Sequence, residues 1–442
     1  MSKEEFDILD EFESELEDWE VLQKPQNTAF IATIVKQGDK AADIDASLDE
    51  MERLADTAGI DILGRYFQRR NMPERSTYFG KGFLEDLQQK MLQAQAELLI
   101  INEELSPMQV RNIEKKYEIT VIDRTEVILS IFHDHAKTKE AKLQVRLAEL
   151  QYQLPRLRRL WGHFDKERGS VRSTGGSAAR GMGEKQIEID KRLIRTQISR
   201  IRKAIGMIVH QKETQRKQRT KAKKICLVGY TNAGKSTLFN ALTDAGVLVE
   251  DKLFATLDST TRQLKMTSGS PLVISDTVGF ISNLPHHLVA SFQATLMEVE
   301  DADLLLHIVD ASDERFQYYI EQVNVVLTKI GADQIRQILV FNKTDRLENN
   351  FLPFLEKGYP GAVCISAAQQ TNLESLRTKI EELLFQTIGV KLLLPYEMTS
   401  LVSRLHEISE ITSEDYREDG IHLNLNIEEQ NMYLVKEYIV KE

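Results

Sequence analysis

Gly229-Tyr-Thr-Asn-Ala-Gly-Lys-Ser236 decides the fold. The stretch matches G-x-x-x-x-G-K-[ST], directly after an apolar run at 225–228 and directly before a helical pattern that begins at Thr237. In that context the glycines let successive backbone N–H groups curl around a phosphate, and the helix N-terminus adds positive potential. Lys235 then reaches the outer phosphate oxygens and the Ser236 hydroxyl ligates magnesium. Gly229, Tyr230, Thr231, Asn232, Ala233, Gly234, Lys235, Ser236 and Thr237 are therefore the candidate phosphate contacts.

Working outward, three further signals stand in order at the ends of apolar strands. Asp276-Thr-Val-Gly279 closes the run 272–276. Asp276 is placed to hold magnesium through water, Thr277 and Val278 line the loop, and the Gly279 N–H meets a γ-phosphate. Asn342-Lys-Thr-Asp345 closes the run 338–342, and Ser366-Ala367 follows the run 363–366. A carboxylate at Asp345 accepts both the N1 proton and the N2 amine of guanine, whereas adenine offers no such pair of donors. Asn342, Lys343, Asp345, Ser366 and Ala367 thus read as the base pocket, and the expected ligands are GTP and GDP. With 304–310, these short, nearly continuous apolar runs predict a doubly wound α/β sheet buried on both faces, a P-loop GTPase domain.

A threonine that senses the γ-phosphate must lie between the loop and Asp276, and Thr256, Thr260 and Thr261 are the candidates. The catalytic set is expected to hold Lys235 and Gly279, and the next residue is Phe280, where many such enzymes carry a water-orienting glutamine. An apolar ring cannot position water, so intrinsic turnover should be slow and the missing ligand supplied by a partner, another residue or an ion. The Asn232 side chain either joins the phosphates around a potassium ion or holds the geometry of its loop. Both readings stay open.

The rest of the 442 residues divides by charge, which is −11 overall. Between Lys137 and Lys224 there are 25 Lys and Arg against 8 Asp and Glu, so a segment of +17 is set in a remainder of −28. Leu143, Leu147, Leu150, Leu154, Leu157 and Trp161 recur at gaps of 4, 3, 4, 3 and 4, and Ile187, Ile194, Ile198, Ile201, Ile205 and Ile208 repeat the seam with Lys191 in one place. Two seams predict an antiparallel coiled-coil hairpin, kinked at Pro155. Between the arms, 168–183 is rich in Gly and Ser and low in apolar bulk. A solvated basic face is the plain alternative; the sharper reading is contact with a polyphosphate backbone, with the tip arginines Arg168, Arg172 and Arg180 entering an RNA cavity.

Before the hairpin, strands at 28–35, 60–67, 98–102 and 119–122 alternate with helices at 48–58, 82–96, 107–117 and 126–135, which predicts a small α/β domain. After residue 391 a strand, a helix, a weak strand near Thr412, a strand at 421–427 and a helix from Glu428 read as a small split βαβ unit of α+β class. The expected domains are an acidic tail at 1–27, the α/β domain at 28–136, the hairpin at 137–222, the GTPase domain at 223–388 and the C-terminal domain at 389–442. The first twenty residues carry ten acidic side chains, the reverse of a targeting peptide. No apolar run approaches the roughly 18 residues that span a bilayer. Integral membrane insertion is thus excluded, and peripheral association is left open. Cys226 and Cys364 make neither a disulfide framework nor a zinc set, and His133 and His135 read as helix-surface residues. A cytoplasmic monomer is expected.

The chain resembles the HflX proteins, ribosome-associated GTPases of the Obg-HflX group. The resemblance rests on Ser47-Leu-Asp-Glu-Met-Glu-Arg-Leu-Ala-Asp-Thr-Ala-Gly59, Thr77-Tyr-Phe-Gly-Lys-Gly82, Leu105-Ser-Pro-Met-Gln-Val-Arg-Asn112, Val121-Ile-Asp-Arg-Thr125, the stretch 143–157, Gly181-Met-Gly-Glu-Lys-Gln-Ile-Glu188, Phe254-Ala-Thr-Leu-Asp258 and Asp276-Thr-Val-Gly-Phe-Ile281. It implies the four-part architecture above, with Thr256 as the sensing threonine and the third magnesium residue beside Ser236 and Asp276. It also implies binding to the large ribosomal subunit and its rRNA, ribosome-stimulated hydrolysis, and splitting or rescue of stalled ribosomes under stress. Some members are reported to use ATP at the N-terminal domain, but no second phosphate loop precedes Lys224. Lys185 stands where the family usually has Thr, and Ser259 where proline is common; Lys185 joins the tip arginines as a candidate RNA contact. The rival functions are a ribosome-assembly GTPase and, from another class, an RNA-remodelling protein with a regulatory nucleotide site.

Overall fold

The computed structural model describes residues 28–157, 178–217, 222–243, 252–257, 260–264, 272–282, 298–348, 351–385, 387–417 and 419–440. Strands β1 (Thr28–Val35), β2 (Asp61–Arg69), β3 (Leu98–Ile101) and β4 (Thr120–Asp123) form a parallel sheet in the order β2-β1-β3-β4. Parallel strands need crossovers, and α1 (Ala41–Thr57), α2 (Lys81–Ala94) and α3 (Pro107–Tyr117) supply them. The strand Leu-Leu-Ile-Ile of β3 is buried at all four positions, as a strand covered on both faces must be. Helix α3 starts sharply because Ser106 and Gln109 form a reciprocal capping box with Pro107 in the first turn. Helix α4 (Arg124–His135) is capped by Asp123 and turns its apolar face to the core.

The hairpin follows as α5 (Lys139–Gln153) and α6 (Ala178–Lys217). Leu143, Leu147 and Leu150 bury against Ile198, Ile201 and Ala204, with Leu154, Ile194, Ile205 and Ile208 packed beside them. Each fully buried Leu or Ile contributes about 1.5–3 kcal/mol, so the seam holds the pair together without charges. At Pro155 the α-helix gives way to a 3₁₀ turn over Leu154–Arg156, since proline has no N–H to continue the ladder. Two expectations change. Residues 178–183, taken with the glycine-rich tip, are already helical, as Ala178, Ala179 and Met182 favour. Ile187 is only half-buried, and Trp161 lies outside the described residues.

The GTPase sheet contains β5 (Lys223–Gly229), β6 (Thr260–Leu264), β7 (Leu272–Asp276), β8 (Leu304–Asp310), β9 (Gln337–Asn342) and β10 (Val363–Cys364), in the order β10-β9-β8-β5-β7-β6. Its helices are α7 (Lys235–Thr243), α8 (Phe316–Lys329), α9 (Leu352–Gly358) and α10 (Leu373–Leu384). The sequence reading missed β6, which pairs antiparallel with β7 from Thr260 opposite Asp276 to Leu264 opposite Leu272. Only its last residue is buried, so an edge strand of this kind carries no apolar run to betray it.

The last sheet is antiparallel, in the order β11-β13-β12, from β11 (Thr387–Leu394), β12 (Ser409–Arg417) and β13 (Gly420–Glu428), with α11 (Thr399–Ile408) after β11. β11, α11 and β12 thus form the expected split βαβ unit, two parallel strands with β13 inserted between them, but the expected helix from Glu428 is absent among the described residues. In its place stand 3₁₀ turns at Glu429–Leu434 and Lys436–Tyr438. Met432, Val435 and Tyr438, three apart, all meet the core of this domain, a spacing that three-residue turns align.

Candidate nucleotide site

The site stands at the carboxyl ends of β5, β7 and β9, on the crevice side of the sheet where α/β folds bind ligands. The loop after β5 is built for close approach. Gly234 has φ +91°, and a Cβ there would meet Asn342 Nδ2 at 2.2 Å, while a Cβ on Gly279 would meet Thr231 Cα at 2.8 Å. Asn232 sits in the left-handed region at φ 61°, which asparagine tolerates better than most side chains. The loop is tied to the Gly279 segment by two backbone bonds, Thr231 N–H to the Phe280 carbonyl at 2.8 Å and Phe280 N–H to the Gly229 carbonyl at 3.1 Å.

Lys235 is buried, and its Nζ donates to the carbonyls of Gly229 at 3.1 Å and Tyr230 at 2.8 Å. Burial pushes its pKa down to about 8, opposed by the Asp276 carboxylate and aided by Lys343. Asp276 is moved in the opposite sense, since desolvation raises its pKa against the hydrogen bond from Ser236 and the charge of Lys235. A buried ammonium whose neighbours are mostly carbonyls is a site that favours an anion.

Ser236 Oγ donates to Asp276 Oδ2 at 2.6 Å and lies 2.7 Å from Thr256 Oγ1. Three hard oxygen donors from the loop, the segment before β6 and the end of β7 therefore converge. Asp276 Oδ1 is buried with no hydrogen-bond partner among the described residues. That orphaned oxygen and the oxygen-only donor set fit magnesium. Of the other threonine candidates, Thr261 Oγ1 pairs with Ser275 Oγ at 2.9 Å, and Thr260 stands opposite Asp276 in the strand register, while only Thr256 has its hydroxyl on Ser236 among the described residues.

Asn342 is 2% exposed, and its side chain joins three loops, donating to the Ala233 carbonyl at 2.9 Å and accepting from the Ala367 N–H at 3.0 Å. It thus holds the phosphate loop and the base loop together. Lys343, at φ 61°, reaches Asp310 at 2.7 Å. Asp345 is exposed, accepts from the Ser366 hydroxyl, and keeps the rest of its carboxylate toward solvent.

Several expected contacts have their side chains spoken for. Thr277 Oγ1 donates to the Leu227 carbonyl at 2.6 Å. Val278 packs on the core shared with the first domain, and Phe280, 5% exposed, lies within that core beside Phe254, Leu257 and Phe132. No water-orienting side chain therefore stands at 280. The Tyr230 ring turns away from the loop to lie 4.3 Å from that of Tyr319, and its hydroxyl meets Glu50. Arg168 and Arg172 lie outside the described residues, and of Arg180 and Lys185 only the helical backbone of α6 is described. Sequence reasoning missed Glu50, Arg124 and Ser282, which contact Tyr230 or its neighbours. The stretches 47–59 and 121–125 marked two of them by resemblance without a chemical reason.

Three family models match in succession: a GTP-binding GTPase N-terminal region over 45–133, a GTP-binding GTPase middle region over 135–219, and a 50S ribosome-binding GTPase over 224–343. The chain is 39% identical to the GTPase HflX of Caldanaerobacter subterraneus over 92% of each chain. It is 41% identical to the GTPase HflX of Escherichia coli over 84% of this chain and 87% of that one. A GTP-binding protein of Sulfolobus solfataricus, solved in complex with GDP, superposes with a TM-score of 0.40 at 25% identity, over 82% of this chain and 99% of that one. Among the described residues no helix is long and apolar enough to cross a membrane. With all three regions and the nucleotide loops in one order, the chain belongs to the HflX family of GTPases.

Proposed function

We propose that this GTPase is a translation-associated switch: its GTP state grips the large ribosomal subunit and rRNA, and hydrolysis releases them. The convergence of Ser236, Thr256 and Asp276 carries the reading. Because Thr256 belongs to one loop and Asp276 begins the other, ligands that bind here order both segments together. Ser236, Thr256 and Asp276 would hold magnesium, which when bound supplies charge neutralisation of the phosphates.

The chain's own groups do the rest. Asp345 reads the guanine edge, with Ser366 and Ala367 closing the pocket around Asn342 and Lys343. Lys235 and the amides of 231–236 stabilise charge as water attacks the γ-phosphate in line, and the Gly279 N–H reports whether that phosphate is present. With Phe280 withdrawn into the core, basal turnover is slow and the ribosome stimulates it. Asn232 would help hold a potassium ion, and equal rates in potassium and sodium would remove that ion from the account.

The basic hairpin, with Arg168, Arg172, Arg180 and Lys185 toward its tip, supplies the rRNA contact. The working units are 28–136, 137–222, 223–388 and 389–442, in a cytoplasmic monomer with an acidic tail at 1–27. The task we assign is splitting or rescue of stalled ribosomes. Sucrose-gradient sedimentation of intact ribosomes with the protein and GTP, GDP or a non-hydrolysable analogue tests it. Conversion of intact particles to subunits with the analogue and not with GDP is expected. Binding confined to precursor particles would favour assembly instead, and unwinding of naked RNA without ribosomes would favour remodelling.

A further inference from the structure

Ser282 lies three residues past Gly279, and each of its hydrogen-bonding groups is taken by one buried cluster. Its N–H donates to Tyr230 Oη at 2.7 Å. Its carbonyl accepts from Arg124 Nη2 at 3.1 Å. Its Oγ donates to the Glu50 carboxylate at 2.7 and 3.1 Å. Glu50 also accepts from Arg124 and from the Tyr230 hydroxyl, and Arg124 Nη1 donates to Asn102 Oδ1 at 2.9 Å. Glu50, Arg124, Tyr230 and Ser282 are each at most 8% exposed.

Two of these residues belong to the first domain, one to the phosphate loop and one to the segment that carries Gly279. A buried carboxylate and guanidinium are tolerated only while their hydrogen bonds are made, so this arrangement resists gradual deformation and gives way as a unit. Beside it the first domain also meets the stretch that carries Thr256, with Phe132 edge-on to Phe254 at 4.8 Å and Thr57 Oγ1 accepting from the Leu253 N–H at 3.3 Å.

Asp123, the residue before Arg124, is fully buried and faces the other way. Its carboxylate accepts from Tyr152 Oη at 3.0 Å and Arg156 Nη2 at 3.2 Å on the first hairpin arm, as well as from the backbone of Leu105 and Glu126, each at 3.0 Å. Arg156 also stacks on the Tyr152 ring, 3.6 Å from its centre, and donates to the Leu105 carbonyl at 2.6 Å. One dipeptide at the start of α4 thus holds the nucleotide-facing segment with its second residue and the hairpin with its first.

We propose that Glu50 and Arg124 are positioning residues of the GTPase site, and that Asp123 passes the position they set to the hairpin. The inference rests on the GTP-switch reading above: when the γ-phosphate leaves, the 279–282 segment shifts, the grip on Ser282 breaks or re-forms, and the first domain moves with the arm clamped to it.

The test uses the full chain with spin labels at Arg200→Cys and Asp333→Cys, both exposed, in a Cys364→Ser background, and reads their distance distribution with GDP and with a non-hydrolysable GTP analogue. The parent distribution should differ between the two nucleotides. In Glu50→Gln that difference should vanish, and kcat should change by about threefold or more with KM nearly constant, the split expected of a positioning role. Ser282→Ala, which removes only the Oγ bonds, should act in the same direction if the first variant fails to fold. Tyr152→Phe, which removes the buried hydroxyl bonds to Asp123 and Glu126, should lower the melting temperature and reduce the label response at unchanged kcat. A nucleotide-independent distance in the parent, or a full response in both Glu50→Gln and Ser282→Ala, would overturn the inference. Binding of a fluorescent guanine nucleotide, measured in every sample, separates this failure from failure of the switch reading.

Discussion

Asn342→Ala is the most informative single substitution, because the structure states what it costs. The side chain is buried and makes two hydrogen bonds, one to the Ala233 carbonyl and one from the Ala367 N–H. Alanine leaves both backbone groups without that partner, and an unsatisfied buried group costs about 1–3 kcal/mol, so the two together cost about 2–6 kcal/mol. Relaxation of the loops reduces this, and we take about 3 kcal/mol as the net effect on the assembled site. If the penalty falls on loop geometry that ligand must restore, guanine nucleotide affinity weakens by about a hundredfold. If it falls on the fold, a domain of this size melts about 6–12 °C lower. Titration of a fluorescent GDP analogue together with a thermal melt measures both. A Kd within threefold of the parent and an unchanged melt would refute the view that this amide staples the phosphate and base loops.

Other substitutions probe the remaining parts. Asp345→Asn replaces an acceptor-only carboxylate with a group that also donates, so selectivity should move from guanine toward xanthine nucleotides by about tenfold or more; competition binding with GTP and XTP reads it. Lys235 has its pKa depressed from 10.5 to about 8, so between those values the unfolded chain binds more protons than the folded one and stability rises with pH. Lys235→Met should remove this component from urea-unfolding stability measured across that range without nucleotide. Leu150→Ala empties part of a closed hairpin seam and should destabilise it by about 2–5 kcal/mol. Hydrogen exchange should accelerate in α5 and α6 and ribosome affinity should drop, while GTP affinity is unchanged.

Much of the site was readable because its chemistry is local. The loop 229–236 and the strand ends at 276 and 342 declare themselves within a few residues, and each heptad-like seam within one continuous stretch, 143–161 or 187–208. The convergence of Ser236, Thr256 and Asp276 needed the family resemblance, since spacing alone left three threonines open. The Glu50 to Ser282 contact spans 232 residues of chain and has no period or motif to announce it. Arg156 shows the converse. Sequence counted it with the basic hairpin, yet it is 7% exposed and neutralises Asp123 rather than facing a polyanion. The C-terminal turns were misread as a helix because apolar residues three apart satisfy both periods over a short segment.

The central claim is that the γ-phosphate, sensed at Thr256 and Gly279, decides whether the chain binds the ribosome. Equilibrium binding of the full-length protein to purified 50S subunits, at one fixed salt concentration, measures it directly. Affinity at least about tenfold higher with a non-hydrolysable GTP analogue than with GDP is predicted, a coupling of about 1.4 kcal/mol. Equal affinity in the two nucleotide states would contradict the account.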